Sequence, residues 1–210
     1  MGLLMEVFKD PKGYINWYFN HKEIYDSERE LVKSLNLENC IDIGSGPSVF
    51  HDALKGRTIS VDISILMLKE ADPEEDKVQA DAMHLPFRDN SMPCAFVSVA
   101  ICFLESPEKL IREMERISSK EIGVCIVPKD SSWGKFYQQL GEKGHKYYSI
   151  AHFISKEELL SALKDFNLVE IKSTLHFAPL EDAKYEEPKN DPFGGFLCVK
   201  GIKKNHLGFP

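Results

Sequence analysis

Apolar positions along this chain follow two periods that alternate. From Phe8 to Leu37 the spacing is helical, with Tyr14, Trp17 and Tyr18 at i, i+3 and i+4, then Ile24, Leu31, Leu35 and Leu37. This predicts a pair of helices ahead of the first strand, which either pack on the core or form a lid. Short apolar runs then alternate with helical stretches. Cys40 to Ile43 reads as a strand, followed by a short helix through Val49, Phe50 and Leu54. Thr58 to Val61 is the next strand, with a helix through Leu66, Leu68 and Ala71. A short strand at Val78-Gln79 and a longer one from Ala95 to Cys102 come next. Ser106-Pro107 then opens a helix with Leu110, Ile111, Met114 and Ile117 on one face, serine as cap and proline at the first position. Ile122 to Val127 is the fifth strand.

Beyond Val127 the rhythm changes. Residues 128–154 are polar and aromatic, with a short helix around Lys135 to Leu140. Ser155-Lys156-Glu157-Glu158 is a capping box ahead of Leu159, Leu160, Leu163 and Phe166. Leu168 to Thr174 and Gly195 to Ile202 close the chain as two strands. This βα alternation predicts a three-layer, Rossmann-like α/β fold: a mainly parallel seven-stranded sheet with one antiparallel strand near the C-terminus. The chain then divides into N-terminal helices (1–37), a core (38–127), an aromatic insertion (128–154) and a C-terminal helix with hairpin (155–203), all within one domain spanning 1–210.

Composition narrows the classes of function. The 210 residues carry a formal charge of -7, 43% hydrophobic and 28% charged residues, ordinary for a soluble protein. Basic residues are scattered, which argues against nucleic acid as the partner. No apolar stretch is long enough to span a membrane and no signal peptide is evident, so a cytoplasmic location is expected. The five cysteines, Cys40, Cys94, Cys102, Cys125 and Cys198, lack metal-site spacing and read as buried reduced thiols, neither disulfide nor zinc; no metal site is expected.

The candidate chemistry lies at the strand ends. Cys40-Ile41-Asp42-Ile43-Gly44-Ser45-Gly46 is a strand that runs into a glycine turn, where a ligand can approach the backbone closely. Asp62 ends the second strand and can accept two ribose hydroxyls; Ser64 stands ready as the helix cap, leaving Asp62 free for a ligand. Asp81 follows the third strand, where it can accept an exocyclic amine. Val49 stands where a dinucleotide fingerprint needs its third glycine. Acids without a basic residue at the loop suit an adenosine ligand that carries a positive centre and no phosphate, and S-adenosylmethionine is such a ligand.

Asp42-x-Gly44-x-Gly46, Val61-Asp62-Ile63-Ser64, Asp81-Ala82-x-x-Leu85-Pro86-Phe87 and Ala95-Phe96-Val97-Ser98-Val99, in that order, resemble the motifs of class I S-adenosylmethionine-dependent methyltransferases. The small-molecule subgroup similar to the ubiquinone/menaquinone methyltransferases is the nearest in flavour. Ser48 stands at the family's third glycine. The resemblance implies that Asp42, Gly44, Ser45 and Gly46 cradle the methionine portion and Asp62 holds the ribose. It further implies that Asp81 and Ala82 meet the adenine with Ile63 packed on the ring, and that Ala100 lines the pocket near the methyl group.

Methyl transfer is an in-line displacement that needs positioning more than a catalytic side chain. His145 and His152 are the candidates if an acceptor proton must leave. Ala100-Ile101-Cys102-Phe103 lacks the Asn/Asp-Pro-Pro-aromatic motif of amino-group methyltransferases acting on nucleic acid or glutamine. A small organic methyl acceptor held by Tyr14, Trp17, Tyr18, Phe103 and Trp133 is therefore expected. The alternatives are a non-catalytic S-adenosylmethionine-binding module and a nicotinamide-dependent oxidoreductase.

Overall fold

A computed structural model describes residues 2–179 and 181–204. Three helices precede the sheet: α1 (Gly2–Val7), α2 (Pro11–Asn20) and α3 (Lys22–Ser34). Asp10 caps α2 by accepting the Gly13 N–H, with Pro11 at the first helical position. Seven strands follow: β1 (Cys40–Ile43), β2 (Ile59–Asp62), β3 (Asp76–Gln79), β4 (Met92–Ser98), β5 (Ser118–Ile126), β6 (Phe166–Thr174) and β7 (Phe196–Lys203). They form one sheet in the order β3-β2-β1-β4-β5-β7-β6. β1 to β5 are parallel, and β7 runs antiparallel to both β5 and β6. The order reverses between β1 and β4, so the crevice at their carboxyl ends is where a ligand binds in such a sheet.

The remaining helices are α4 (Ile65–Leu68), α5 (Pro107–Ile117), α6 (Ser132–Glu142) and α7 (Lys156–Ala162). The expected caps are in place. Ser106 accepts the Lys109 N–H at the start of α5, and the Ser155/Glu158 capping box forms on α7. Strand alternation separates two cores. Ile41, Ile43 and Val97 face Leu110, Met114 and Ile117 of α5 and Leu159 of α7. Cys40, Cys94 and Phe96 face Leu31 of α3, Leu35 at its C-terminal cap and Trp133 of α6.

Three expectations are corrected. The short helix expected through Val49, Phe50 and Leu54 is a single turn of 3-10 helix confined to His51–Ala53. Leu66 is exposed, and the apolar side of α4 is Met67 and Leu68. Four of the cysteines are disulfides, Cys40–Cys94 and Cys125–Cys198, not reduced thiols. The cause is register: each pair sits directly opposite on neighbouring strands, with Cα atoms 4.3 and 4.1 Å apart. Among the described residues only Cys102 is a free cysteine.

Candidate active site

Two cavities lie at the carboxyl end of the sheet. The first, of about 780 Å³, opens over the β1–β2–β3 strand ends and is walled by Gly44, Gly46, Asp62, Ile63, Asp81, Ala82 and Ala100. The loop that shapes it depends on its glycines: Gly44 and Gly46 have φ of 67° and 56°. Ser48, at the family's third glycine position, has φ of 57°, so the serine takes up the backbone conformation a glycine would have supplied.

Asp62 is the hinge of this wall. One carboxylate oxygen accepts the Gly46 N–H at 2.8 Å and the other the Ser64 N–H at 2.7 Å. Asp62 is therefore not free as expected from the sequence, even though Ser64 does cap α4. Each oxygen keeps a second lone pair for a ligand hydroxyl. Burial raises the Asp62 pKa, against the lowering effect of these backbone bonds. Asp81 is tied likewise, accepting the Met83 N–H at 2.9 Å.

Asp42 and Ser45 are not part of this wall. Asp42 is 3% exposed, on the strand face opposite Ile41 and Ile43, and its carboxyl is pushed up to about 8 by burial, with Glu75 and Asp62 adding to the effect. The Ser45 hydroxyl is buried without a partner among the described residues, and so is that of Ser98, which does line the cavity.

The second cavity, of about 1040 Å³, lies between the N-terminal helices and the segment after β5. Tyr14, Trp17, Tyr18 and Phe103 line it, with Tyr137, Tyr147 and Tyr148. Phe8, Tyr14, Val99 and Phe103 line both cavities and so form the neck between them. Phe8 stacks on Tyr147 with centroids 5.2 Å apart and meets Phe103 edge-on at 5.0 Å. Its carbonyl accepts the Ser64 hydroxyl, which ties the α1–α2 junction to the end of β2. Val99 has φ of 52°, a left-handed conformation costly for a β-branched residue. Strain of that kind concentrates at functional sites.

Trp133, expected at the acceptor pocket, instead belongs to the core: it is 4% exposed, donates from Nε1 to the Phe177 carbonyl at 2.8 Å and packs against Gly195. Its helical spacing with Tyr137 serves the sheet. His145 lines the second cavity, and burial lowers its pKa. His152 does not; its side chain is exposed while its backbone N–H meets the Cys102 carbonyl. The Cys102 thiol also faces this cavity, but burial pushes it up to about 12, so it is no nucleophile.

Sequence reading missed Phe8, Val99 and above all Glu28. Glu28 lines the second cavity at 8% exposure. A signal existed: Ile24, Glu28, Leu31 and Leu35 follow one stripe of α3, so a glutamate occupies a position that periodicity assigns to the core.

The residues present suit S-adenosylmethionine. Among the described residues no lysine or arginine lines the first cavity, two glycines bare the backbone, Asp62 faces it, and Ile63, Met67 and Ala82 give an apolar wall for a purine. A sheet of this order with such a crevice at its switch point is a Rossmann-like nucleoside-binding fold. The Methyltransferase domain family matches residues 41–127. An uncharacterized protein of Methanocaldococcus jannaschii is 31% identical over 95% of this chain and 100% of its own length. A structure from Thermotoga maritima, named as a SAM-dependent methyltransferase and possible histamine N-methyltransferase, is 30% identical with a TM-score of 0.87, covering 95% of this chain and 99% of that one. Magnesium protoporphyrin IX methyltransferase from Synechocystis, with bound S-adenosylhomocysteine, shares the fold at a TM-score of 0.68 and 12% identity over 97% of this chain and 99% of its own. The chain belongs to the class I S-adenosylmethionine-dependent methyltransferases, and S-adenosylmethionine is its cofactor.

Proposed function

We propose that this protein methylates a small organic acceptor held in the aromatic cavity, as expected of the small-molecule subgroup. The carrying observation is the neck: Phe8, Tyr14, Val99 and Phe103 wall both cavities, so a molecule in one faces a molecule in the other. When bound, S-adenosylmethionine supplies a methyl carbon on a sulfonium; the acceptor's lone pair forms the new bond as the carbon–sulfur bond breaks and its electron pair stays on sulfur.

The chain's own contribution is alignment and exclusion of water. Asp62 holds the glycine loop and the ribose, and Asp81 with Ala82 meets the adenine. Ala100 closes the floor beneath the loop, and the α1–α2 junction acts as a lid through Phe8. His145, neutral in its half-buried place, is the candidate to accept a proton from an acceptor that must lose one.

The charge of -7 and the lack of lysine or arginine in either wall support an acceptor that is not a nucleic acid. The naming of the Thermotoga maritima relative agrees with a small molecule. Among the described residues no helix is long and apolar enough to cross a membrane and no metal-binding cluster occurs. We place the protein in the cytoplasm, where both disulfides, between fully buried cysteines, are shielded from thiol reductants. The test is a methyl-acceptor screen read by S-adenosylhomocysteine release. Turnover with at least one small acceptor is expected, and tight cofactor binding with no turnover on any acceptor would point to a binding module instead.

A further inference from the structure

A carboxyl group in an aromatic cavity needs a reason. Glu28 projects from the apolar stripe of α3 into the second cavity. Among the described residues its carboxylate takes no hydrogen bond and no ion pair, and no lysine or arginine lines the cavity. A leucine there would continue the core at no electrostatic cost, whereas an unpaired buried carboxyl is expensive. Burial alone pushes Glu28 up to about 8. The other titratable groups facing the cavity are His145, Cys102 and tyrosines, none of them a cation that could neutralise it.

The surroundings say what would offset the cost. Trp17, Tyr18, Tyr137 and Tyr148 present aromatic rings to the same space, and aromatic faces attract cations, most strongly when desolvated. A carboxylate among such rings is a site for a positively charged nitrogen. Glu28 lines only the aromatic cavity and not the cofactor cavity, so it is not one of the four neck residues at which a methyl group would arrive.

Building on the methyltransferase reading, we propose that Glu28 sets acceptor specificity. The acceptor carries a cationic nitrogen that pairs with the Glu28 carboxylate, while a separate, neutral nucleophilic atom of the same molecule stands at the neck formed by Phe8, Tyr14, Val99 and Phe103. The anchored ammonium has no free lone pair and is not itself methylated in that pose. Glu28 is thus a specificity residue, with no direct part in bond making.

The test uses the full chain saturated with S-adenosylhomocysteine and calorimetric titration of a panel of arylalkylamines and alkylamines, 2-phenylethylamine among them, each paired with its neutral alcohol isostere. Wild type is expected to bind at least one amine about tenfold or more tighter than its alcohol. Glu28→Gln removes that preference while leaving S-adenosylmethionine affinity unchanged, and Glu28→Asp retains the preference at reduced affinity. Equal affinity for amine and alcohol across the panel, no amine binding at all, or a preference that survives in Glu28→Gln overturns the proposal. Failure of wild type to bind S-adenosylmethionine would instead bring down the underlying methyltransferase reading, so the two failures are distinct.

Discussion

Ala100 occupies the space a side chain on Gly44 would need: a Cβ built at Gly44 falls 2.3 Å from the Ala100 Cβ. The contact joins the first turn after β1 to the first turn after β4, across the point where strand order reverses. It fixes the floor of the cofactor cavity from two strands at once.

Gly44→Ala is therefore expected to combine that clash with a φ of 67°, at a cost of about 1 to 3 kcal/mol. Denaturant unfolding measures the stability loss, and calorimetry should show weakened S-adenosylmethionine binding. Pairing it with Ala100→Gly relieves the clash but not the backbone strain, so the double variant should recover only part of the loss.

Two tryptophans separate core from cavity. Trp133→Phe deletes the bond to the Phe177 carbonyl in a buried site and should lower stability by about 1 to 3 kcal/mol with little change in acceptor KM. Trp17→Phe should do the reverse, because Trp17 is half-buried on the aromatic cavity wall. Thermal melts and steady-state kinetics on both variants check the contrast.

Stability should fall as pH rises from about 5 to about 8. Glu28 and Asp42 are each pushed by burial to about 8, from ordinary values of 4.5 and 3.8. Between those values the unfolded chain has released protons that the folded chain still holds, so folding weakens by up to about 1.4 kcal/mol per pH unit per group. Glu186 works in the opposite direction at acid pH: against the raising effect of burial, Lys189 and His176 hold it at about 2, and it contributes stability that is lost as pH drops below 4.5. The melting temperature should peak near pH 5. Glu28→Gln should raise it at pH 8 and leave it unchanged at pH 4, which a pH series of melts reads directly.

The succession of strands along the chain was legible in the sequence because each is a short apolar run, and Asp62 and Asp81, which line the first cavity, stand out because each follows such a run. Caps at Ser106 and Ser155 were legible because their partners are three residues away. What escaped depends on contacts distant in sequence. Cys40 meets Cys94 only through the pairing of β1 with β4, and Cys125 meets Cys198 only through β5 and β7. Trp133 was misplaced because an aromatic residue on a helix reads the same whether it faces Phe177 or a ligand. The short helix expected after the glycine loop is 3-10 in character because residues 48–54 bond in i to i+3 turns. Glu28 broke its helical stripe, and its cavity neighbours Tyr137 and Tyr148 lie more than a hundred residues away.

The central claim is that the cavity at the β1–β2 ends is the methyl-donor site, and Asp62 is its pivot. Removing this carboxylate frees the Gly46 and Ser64 N–H groups together with any ribose contact. Charge-assisted bonds of this kind are worth about 1.5 to 3 kcal/mol each. The direct measurement is calorimetric titration of S-adenosylmethionine into wild type and Asp62→Ala, with folding of both verified by circular dichroism. Micromolar binding by wild type and a loss of roughly tenfold to a hundredfold or more in the variant is the expected result. Equal affinity in the two proteins would contradict the account.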